Sequence, residues 1–201
     1  MSAVLRSITL AEYETRELDA DTKSEYYRGE MFAMAGGSPE HSLVATNFTR
    51  EAGNQLKGKP CVPYNSDLRV KVEATGLYTY PDATIVCGPP QMDTAVKGTV
   101  LNPSVIVEVL SESTESYDRG KKSSHYRRIE SLRELILISP GEPLVEMFTR
   151  RDDGNWSFIE YRSITDTLVI DSVGVSIPLS EIYRNITFPT AAPDGDKPIG
   201  S

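Results

Sequence analysis

At 201 residues the chain can bury about 70% of its unfolded surface around one core, and 39% hydrophobic with 25% charged residues is the composition of an ordinary folded domain. Disordered, collagen-like and disulfide-scaffold classes are thereby excluded. A formal net charge of −8 excludes a protein that coats nucleic acid through overall positive charge, yet the stretch from Tyr117 to Ser139 carries 6 Lys/Arg against 3 Asp/Glu, with net acidic sequence on either side.

Met1 to Leu10 holds no apolar core of the signal-peptide kind, and no run of about 18 apolar residues occurs anywhere. A cytoplasmic location without a membrane partner is expected. Thr9-Leu10-Ala11-Glu12 has the form of a capping box and predicts a helix from there to about Leu18. Ser24 to Met34 reads as a hairpin whose arms, Ser24 to Tyr27 and Met31 to Met34, meet at Gly29. After Gly36-Gly37, Ser38-Pro39-Glu40 supplies an N-cap, a proline at the first helical position and an early acid, and Val44, Phe48 and Ala52 recur at helical spacing. This second helix is expected to end near Gly58.

Strands are expected over Cys61 to Glu73, Tyr78 to Cys87 and Pro103 to Ser111, followed by a third helix from Asp118 to about Glu130. Further strands are expected at Glu134 to Ser139, Leu144 to Thr149, Trp156 to Arg162 and Leu168 to Ile170, with a hairpin turn over 151–155 and a short last helix from Leu179 to Arg184. The sequence from residue 189 has no apolar period and reads as a disordered tail behind one domain of residues 1–188. The order of elements is α/β or α+β, with one mixed central sheet flanked by helices. Cys61 and Cys87 stand at neither metal-type nor redox-type spacing and are expected to be small core residues.

Chemistry concentrates in Ser104-Val105-Ile106-Val107-Glu108-Val109-Leu110, a near-continuous apolar run of the kind found at the centre of a sheet covered on both faces. An ionised Glu108 left unpaired there would cost several kcal/mol, so it is expected to be neutral or to face a cation, whether Arg, Lys or a metal. Asp82 stands at the proline-marked start of another apolar strand, where it either belongs to a site or caps a turn. If the two strands pair as antiparallel neighbours, Asp82 and Glu108 share one sheet face and together invite a divalent cation. Every candidate ligand is an oxygen, which selects Mg²⁺ with Mn²⁺ as substitute.

At about 100° per residue, Lys122 falls with Tyr126 and Ile129 on the inward stripe of the third helix, while Lys121 is turned away beside Arg128. Lys122 is therefore placed to meet the two acids, in a reactive site or as a structural ion pair with Glu108. His41, behind two glycines in the first turn of the second helix, reads as a capping or surface residue, although a helix N-terminus can also bind a phosphate. The tyrosines at 26, 27, 64, 78 and 80 give no evenly spaced stacking platform.

Pro81-Asp82, then Glu108 in a Val-Glu-Val-Leu-Ser strand, then a lysine, is an order that resembles the PD-(D/E)xK nuclease superfamily, and more closely the Uma-type family of restriction endonucleases. The likeness runs from about Thr9 to Glu146 and includes Tyr26-Tyr27-Arg28-Gly29-Glu30, Ser38-Pro39-Glu40-His41, Asp118-x-x-x-Lys122-x-x-x-Tyr126 and Arg133-Glu134. The lysine of the superfamily pattern, two residues after the strand glutamate, is replaced here by Leu110. In the Uma-type family it has moved to the next helix, where Lys122 matches it.

This resemblance implies a restriction-endonuclease-like fold and metal-dependent hydrolysis of DNA phosphodiesters. It implies Asp82, Glu108 and the carbonyl of Val109 as ligands of Mg²⁺ or Mn²⁺, and Lys122 as the group that orients or activates water and stabilises phosphorane charge. Glu25 matches a glutamate that some members bring to the metal from an N-terminal element. Arg119, Lys121 and Arg128 are then expected to meet DNA phosphates outside the metal site, and a homodimer is expected. The alternative is an inactive nuclease-fold interaction or nucleic-acid-binding protein acting as a homo-oligomer, with the acids and Lys122 forming an ion-pair knot.

Overall fold

The computed structural model of the chain describes residues 7–34 and 36–188, and the tail expected from residue 189 lies outside them. Helix α1 (Leu10–Asp19) opens on the expected capping box, with the Glu12 amide donating to Thr9 Oγ1 and the Thr9 amide donating to the Glu12 carboxylate. The hairpin β1 (Ser24–Tyr27) and β2 (Glu30–Ala33) turns through Arg28 and Gly29 at φ of 49° and 86°, a pair of left-handed residues that matches the twist of a two-residue hairpin loop. Helix α2 (Pro39–Leu56) starts on Ser38, whose hydroxyl accepts the His41 amide, and buries Val44, Phe48, Ala52 and Leu56 along one stripe.

Strands β3 (Cys61–Asn65), β4 (Arg69–Val72), β5 (Leu77–Thr79), β6 (Ala83–Cys87), β7 (Thr99–Val100) and β8 (Val105–Val109) follow. Two stretches that read as single strands are each broken. Cys61 to Glu73 divides at a turn in which the Asp67 amide donates to the Asn65 side chain. Tyr78 to Cys87 divides at Tyr80-Pro81-Asp82, because Pro81 has no N–H to give a ladder. After β8 come α3 (Glu115–Tyr117), a π turn (Asp118–Lys122) and α4 (Ser123–Tyr126). The chain closes with β9 (Glu134–Ile138), β10 (Val145–Arg150), β11 (Trp156–Tyr161), β12 (Thr167–Ile170), β13 (Val175–Pro178) and α5 (Leu179–Ile182).

Because of the two breaks, the single central sheet expected from the pattern is divided. A six-stranded sheet runs β11-β10-β9-β8-β6-β3, a five-stranded sheet runs β2-β1-β5-β4-β7, and β12 pairs with β13 alone. The architecture is mixed α+β, with β8 and β9 parallel at the centre of the larger sheet and antiparallel neighbours on both sides. Val105, Val107 and Val109 join Val44, Phe48 and Ala52 of α2 in one core, while Ile106 and Leu110 join Leu135, Leu137, Tyr126 and Ile129 in another. Burial on both faces is why the run around Glu108 is apolar without alternation.

The third helix is shorter than its apolar period. It stops at Tyr126 because the Arg150 guanidinium takes the carbonyls beyond it, those of Arg127 at 2.8 Å, Ile129 at 2.6 Å and Leu132 at 2.9 Å. Cys61 and Cys87 are also not the free core residues expected. The antiparallel register of β3 and β6 sets them directly opposite, with Cα atoms 4.0 Å apart, and they form a disulfide. Among the described residues no helix is long and apolar enough to cross a membrane.

Asn47, buried in α2, donates its amide to the carbonyls of Ile182 at 3.0 Å and Arg184 at 2.9 Å and so ties the C-terminal segment to the core. Asn47→Ala strands both acceptors, and we expect unfolding free energy to fall by about 1–3 kcal/mol. Urea denaturation should show a lower midpoint with an unchanged slope.

Candidate active site

Strands β6 and β8 are antiparallel, with Ala83 opposite Val107 and Thr84 opposite Ile106. One step further in the same register, Asp82 stands opposite Glu108, and directly opposed residues of an antiparallel pair point to one face. Pro81 ends the ladder at that point, so the Asp82 carboxylate can turn over the end of β8. Its Oδ2 accepts the Val109 amide at 2.7 Å and lies 3.3 Å from His41 Nε2.

Glu108 is only 4% exposed. Its Oε1 accepts the Tyr126 hydroxyl at 2.5 Å and pairs with Lys122 Nζ at 2.9 Å. The same ammonium lies 3.0 Å from Glu25 Oε1 and 3.6 Å from Asp118 Oδ1. Glu25 arrives from β1 of the other sheet, where the Thr79 hydroxyl donates to it at 2.5 Å and the Tyr117 hydroxyl at 3.4 Å. The π turn brings in Asp118 and Lys122 together, and the Ser123 hydroxyl holds that turn by donating to the Asp118 carbonyl at 2.5 Å. Leu110 shares the face of Glu108 but is buried in the apolar cluster, and the ammonium that meets the strand glutamate among the described residues comes from the helical side.

Burial pushes the Glu108 carboxyl up to about 8, against the pull of Lys122. Burial raises Asp118 as well. For Lys122, burial works against the charge, but Glu108, Tyr126, Glu25 and Asp118 outweigh it and hold the ammonium well above its usual value. His41 is raised, chiefly by its hydrogen bond to Asp82.

These groups line a cleft of about 800 Å³ together with Tyr27 and Phe32 of the hairpin and Tyr117, Lys121 and His125 of the helical segment. Of the three basic residues expected to meet phosphates, Lys121 lines this cleft and is exposed. Arg119 is instead engaged by Glu115 at 2.7 Å and by Glu146. Arg128 is exposed but does not line the cleft.

Four further participants surround the acids and Lys122, none of which has a site role in the sequence alone. Tyr126, on the inward stripe and within the family-like motif, brings the closest donor to Glu108. Thr79 carries no sequence signal, because its approach to Glu25 exists only through the pairing of β1 with β5. Asp118 was legible in principle, four residues before Lys122. His41 is neither a cap nor a surface residue but a half-buried partner of Asp82, and the preceding double glycine is its signal: a Cβ on Gly37 would lie 2.5 Å from the His41 ring. Among the described residues no three His, Cys, Asp or Glu side chains form a ready cation-holding group.

Residues 10–180 match the Uma2 family, described as "Putative restriction endonuclease". Two uncharacterised proteins of Synechocystis sp. (strain PCC 6803) are similar to this chain. The protein slr1290 is 34% identical over 187 residues, covering 93% of this chain and 97% of the relative, and sll1609 is 32% identical over 158 residues, covering 79% and 89%. The crystal structure of "a putative nuclease belonging to DUF820" from Anabaena variabilis superposes with a TM-score of 0.69 over 88% of this chain and 97% of that one, at 16% identity. At that identity the likeness is one of fold.

Without a divalent ion the folded chain keeps a proton on Glu108 at pH values where the unfolded chain has released it. The stability so contributed is complete below about pH 4.5 and is lost as the pH rises through about 8. In chelator, the thermal midpoint is expected to fall between about pH 5 and about pH 8 more steeply in the native chain than in Glu108→Gln. Parallel slopes in the two proteins would remove Glu108 as the source of the effect.

Proposed function

The chain belongs to the Uma2 family, and on that premise we propose that it is an endonuclease that hydrolyses DNA phosphodiester bonds with the help of a divalent cation. The observation that supports this reading most is the cross-strand opposition of Asp82 and Glu108, with a buried ammonium beside them, on the floor of an open cleft.

The residues present suit a hard cation. The carboxylates of Glu25, Glu108 and Asp118 meet at the Lys122 ammonium and that of Asp82 meets the His41 imidazole, so oxygen donors predominate beside β8. Asp82, Glu108 and the carbonyl of Val109 would hold Mg²⁺ or Mn²⁺ as a partial ligand set, which fits ions that keep several waters and take phosphate oxygens. When bound, the cation supplies Lewis-acid polarisation of a phosphate oxygen and a more acidic water.

The chain's own groups do the rest. Lys122 stays charged through Glu25 and Asp118 as well as Glu108, and its Nζ faces the negative charge that grows on the phosphate oxygens in the transition state. Tyr126 fixes the Glu108 carboxylate by its hydrogen bond, and Glu25 positions Lys122 from the opposite sheet. Lys121, exposed on the cleft wall, takes a phosphate outside the reacting centre. A second reading draws on the same contacts: three ion pairs on one lysine are also what an inactive nuclease fold with a structural knot would show.

Plasmid nicking with Mg²⁺ or Mn²⁺ and with chelator separates the two readings. We expect cleavage only with the ion, its loss in Asp82→Ala without unfolding, and about a hundredfold or greater loss in Lys122→Gln. Lys121→Ala should instead weaken DNA binding and lower its salt dependence by about one unit of slope. Undiminished nicking by Asp82→Ala, or a thermal midpoint unmoved by millimolar Mn²⁺ in a chain that never cleaves, would overturn the assignment in favour of the knot.

A further inference from the structure

The hairpin β1/β2 has two faces with different fates. Tyr26 and Met31 pack against Tyr13 and Tyr78 in a small core under α1. The opposite face carries Glu25 and Tyr27, and the register sets Phe32 directly across from Glu25 and Glu30 across from Tyr27. All four of these line the cleft. Glu25 is buried against Lys122 and Tyr27 meets the His125 ring edge-on at 4.9 Å, but Phe32 remains 46% exposed on the edge strand of its sheet. An aromatic ring thus stands open to the cleft one cross-strand step from the buried acid that holds Lys122.

Charge orients anything that enters. The hairpin side presents Glu30, exposed and negative, while the facing helical side presents Lys121, exposed and positive. That polarity suits a polyanion whose phosphates lie toward Lys121 and whose bases lie toward Phe32. A paired and stacked base has no free face for that ring; an unpaired base does, and a base face on an aromatic side chain is the recurrent device of single-strand recognition. Glu108, at 4% exposure, lines the same cleft.

We propose that the nucleic acid enters this cleft as a single or locally unpaired strand, with one base stacked on Phe32 and the backbone along Lys121. This assignment rests on the nuclease reading and names the form of substrate that the site takes.

The test is binding of a fluorescent 12-nucleotide DNA, single-stranded and as its duplex, measured in chelator so that nothing is cleaved. The single strand is expected to bind at least tenfold tighter, and a 2-aminopurine in it to be quenched on binding. Phe32→Ala should weaken single-strand binding by about 5- to 150-fold, the loss for one base–aromatic stack, while Phe32→Trp retains it and duplex binding is unmoved. Because Phe32 is exposed, both variants should melt like the native chain. Equal affinity for the two forms, or a Phe32→Ala protein that binds the single strand normally, would overturn the proposal. Hydrolysis of bis(p-nitrophenyl) phosphate with Mn²⁺, a diester with no base, reports the chemistry separately. Hydrolysis without Phe32-dependent binding defeats the strand proposal alone, whereas Phe32-dependent binding with no hydrolysis of either ester or DNA defeats the nuclease reading.

Discussion

One buried ammonium, Lys122 Nζ, is shared by Glu25 from the five-stranded sheet, Glu108 from the six-stranded sheet and Asp118 from the π turn. Each of these acids is less than a tenth exposed, and none could be left charged and alone there without a cost of several kcal/mol. The attraction does not make the fold stable, since an apolar cluster of the same shape would do as well or better, but it makes the arrangement specific. Removing one partner leaves the others buried and uncompensated, at a cost of about 3–5 kcal/mol. The two sheets and the helical segment are therefore held in the one relative placement that brings Glu25, Glu108 and Lys122 together.

That placement needs the chain to leave one sheet and enter the other between Thr79 and Ala83. Thr79, the last residue of β5, donates to Glu25; Ala83, the first of β6, starts the ladder to β8. Pro81 between them can join neither ladder by its nitrogen. The same break frees Asp82, just before β6, to turn over β8 toward the Val109 amide. A proline that reads in sequence as the start of a strand is thus the seam between two sheets and the reason an aspartate is available at that seam.

Much of the local structure was legible because its causes are local. The Thr9–Glu12 box, the Ser38 cap and the Arg28-Gly29 turn each depend on residues within four positions of one another. The pairing of Asp82 with Glu108 was legible for another reason: antiparallel register carries a residue at the start of one strand to the end of its neighbour. What could not be read depends on tertiary neighbours. The disulfide follows from the register of β3 with β6, and the early end of the third helix follows from Arg150, over twenty residues downstream. The inward face of Lys122 was read correctly on a wheel that fails one turn earlier. Lys122 caps α4 and keeps α-helical phase with Tyr126, but the residues before it lie in a π turn, where Asp118 and Lys122 come together by a wider winding.

A lysine on the helical side is coupled to different groups from one on the strand. A lysine at position 110 would lie in a cluster that is apolar here, with Ile106, Leu135 and Leu137. Lys122 answers to three elements, and the hairpin is one of them through Glu25. The residue opposite Glu25 in that hairpin is Phe32, whose ring lines the cleft. A two-stranded ribbon this short cannot shift one of these residues without the other, because the ladder between β1 and β2 fixes both. The position of the buried charge and the shape of the cleft wall are consequently set by the same few backbone hydrogen bonds, so a change that loosens the hairpin acts on the Lys122 cluster and on the Phe32 wall of the cleft together.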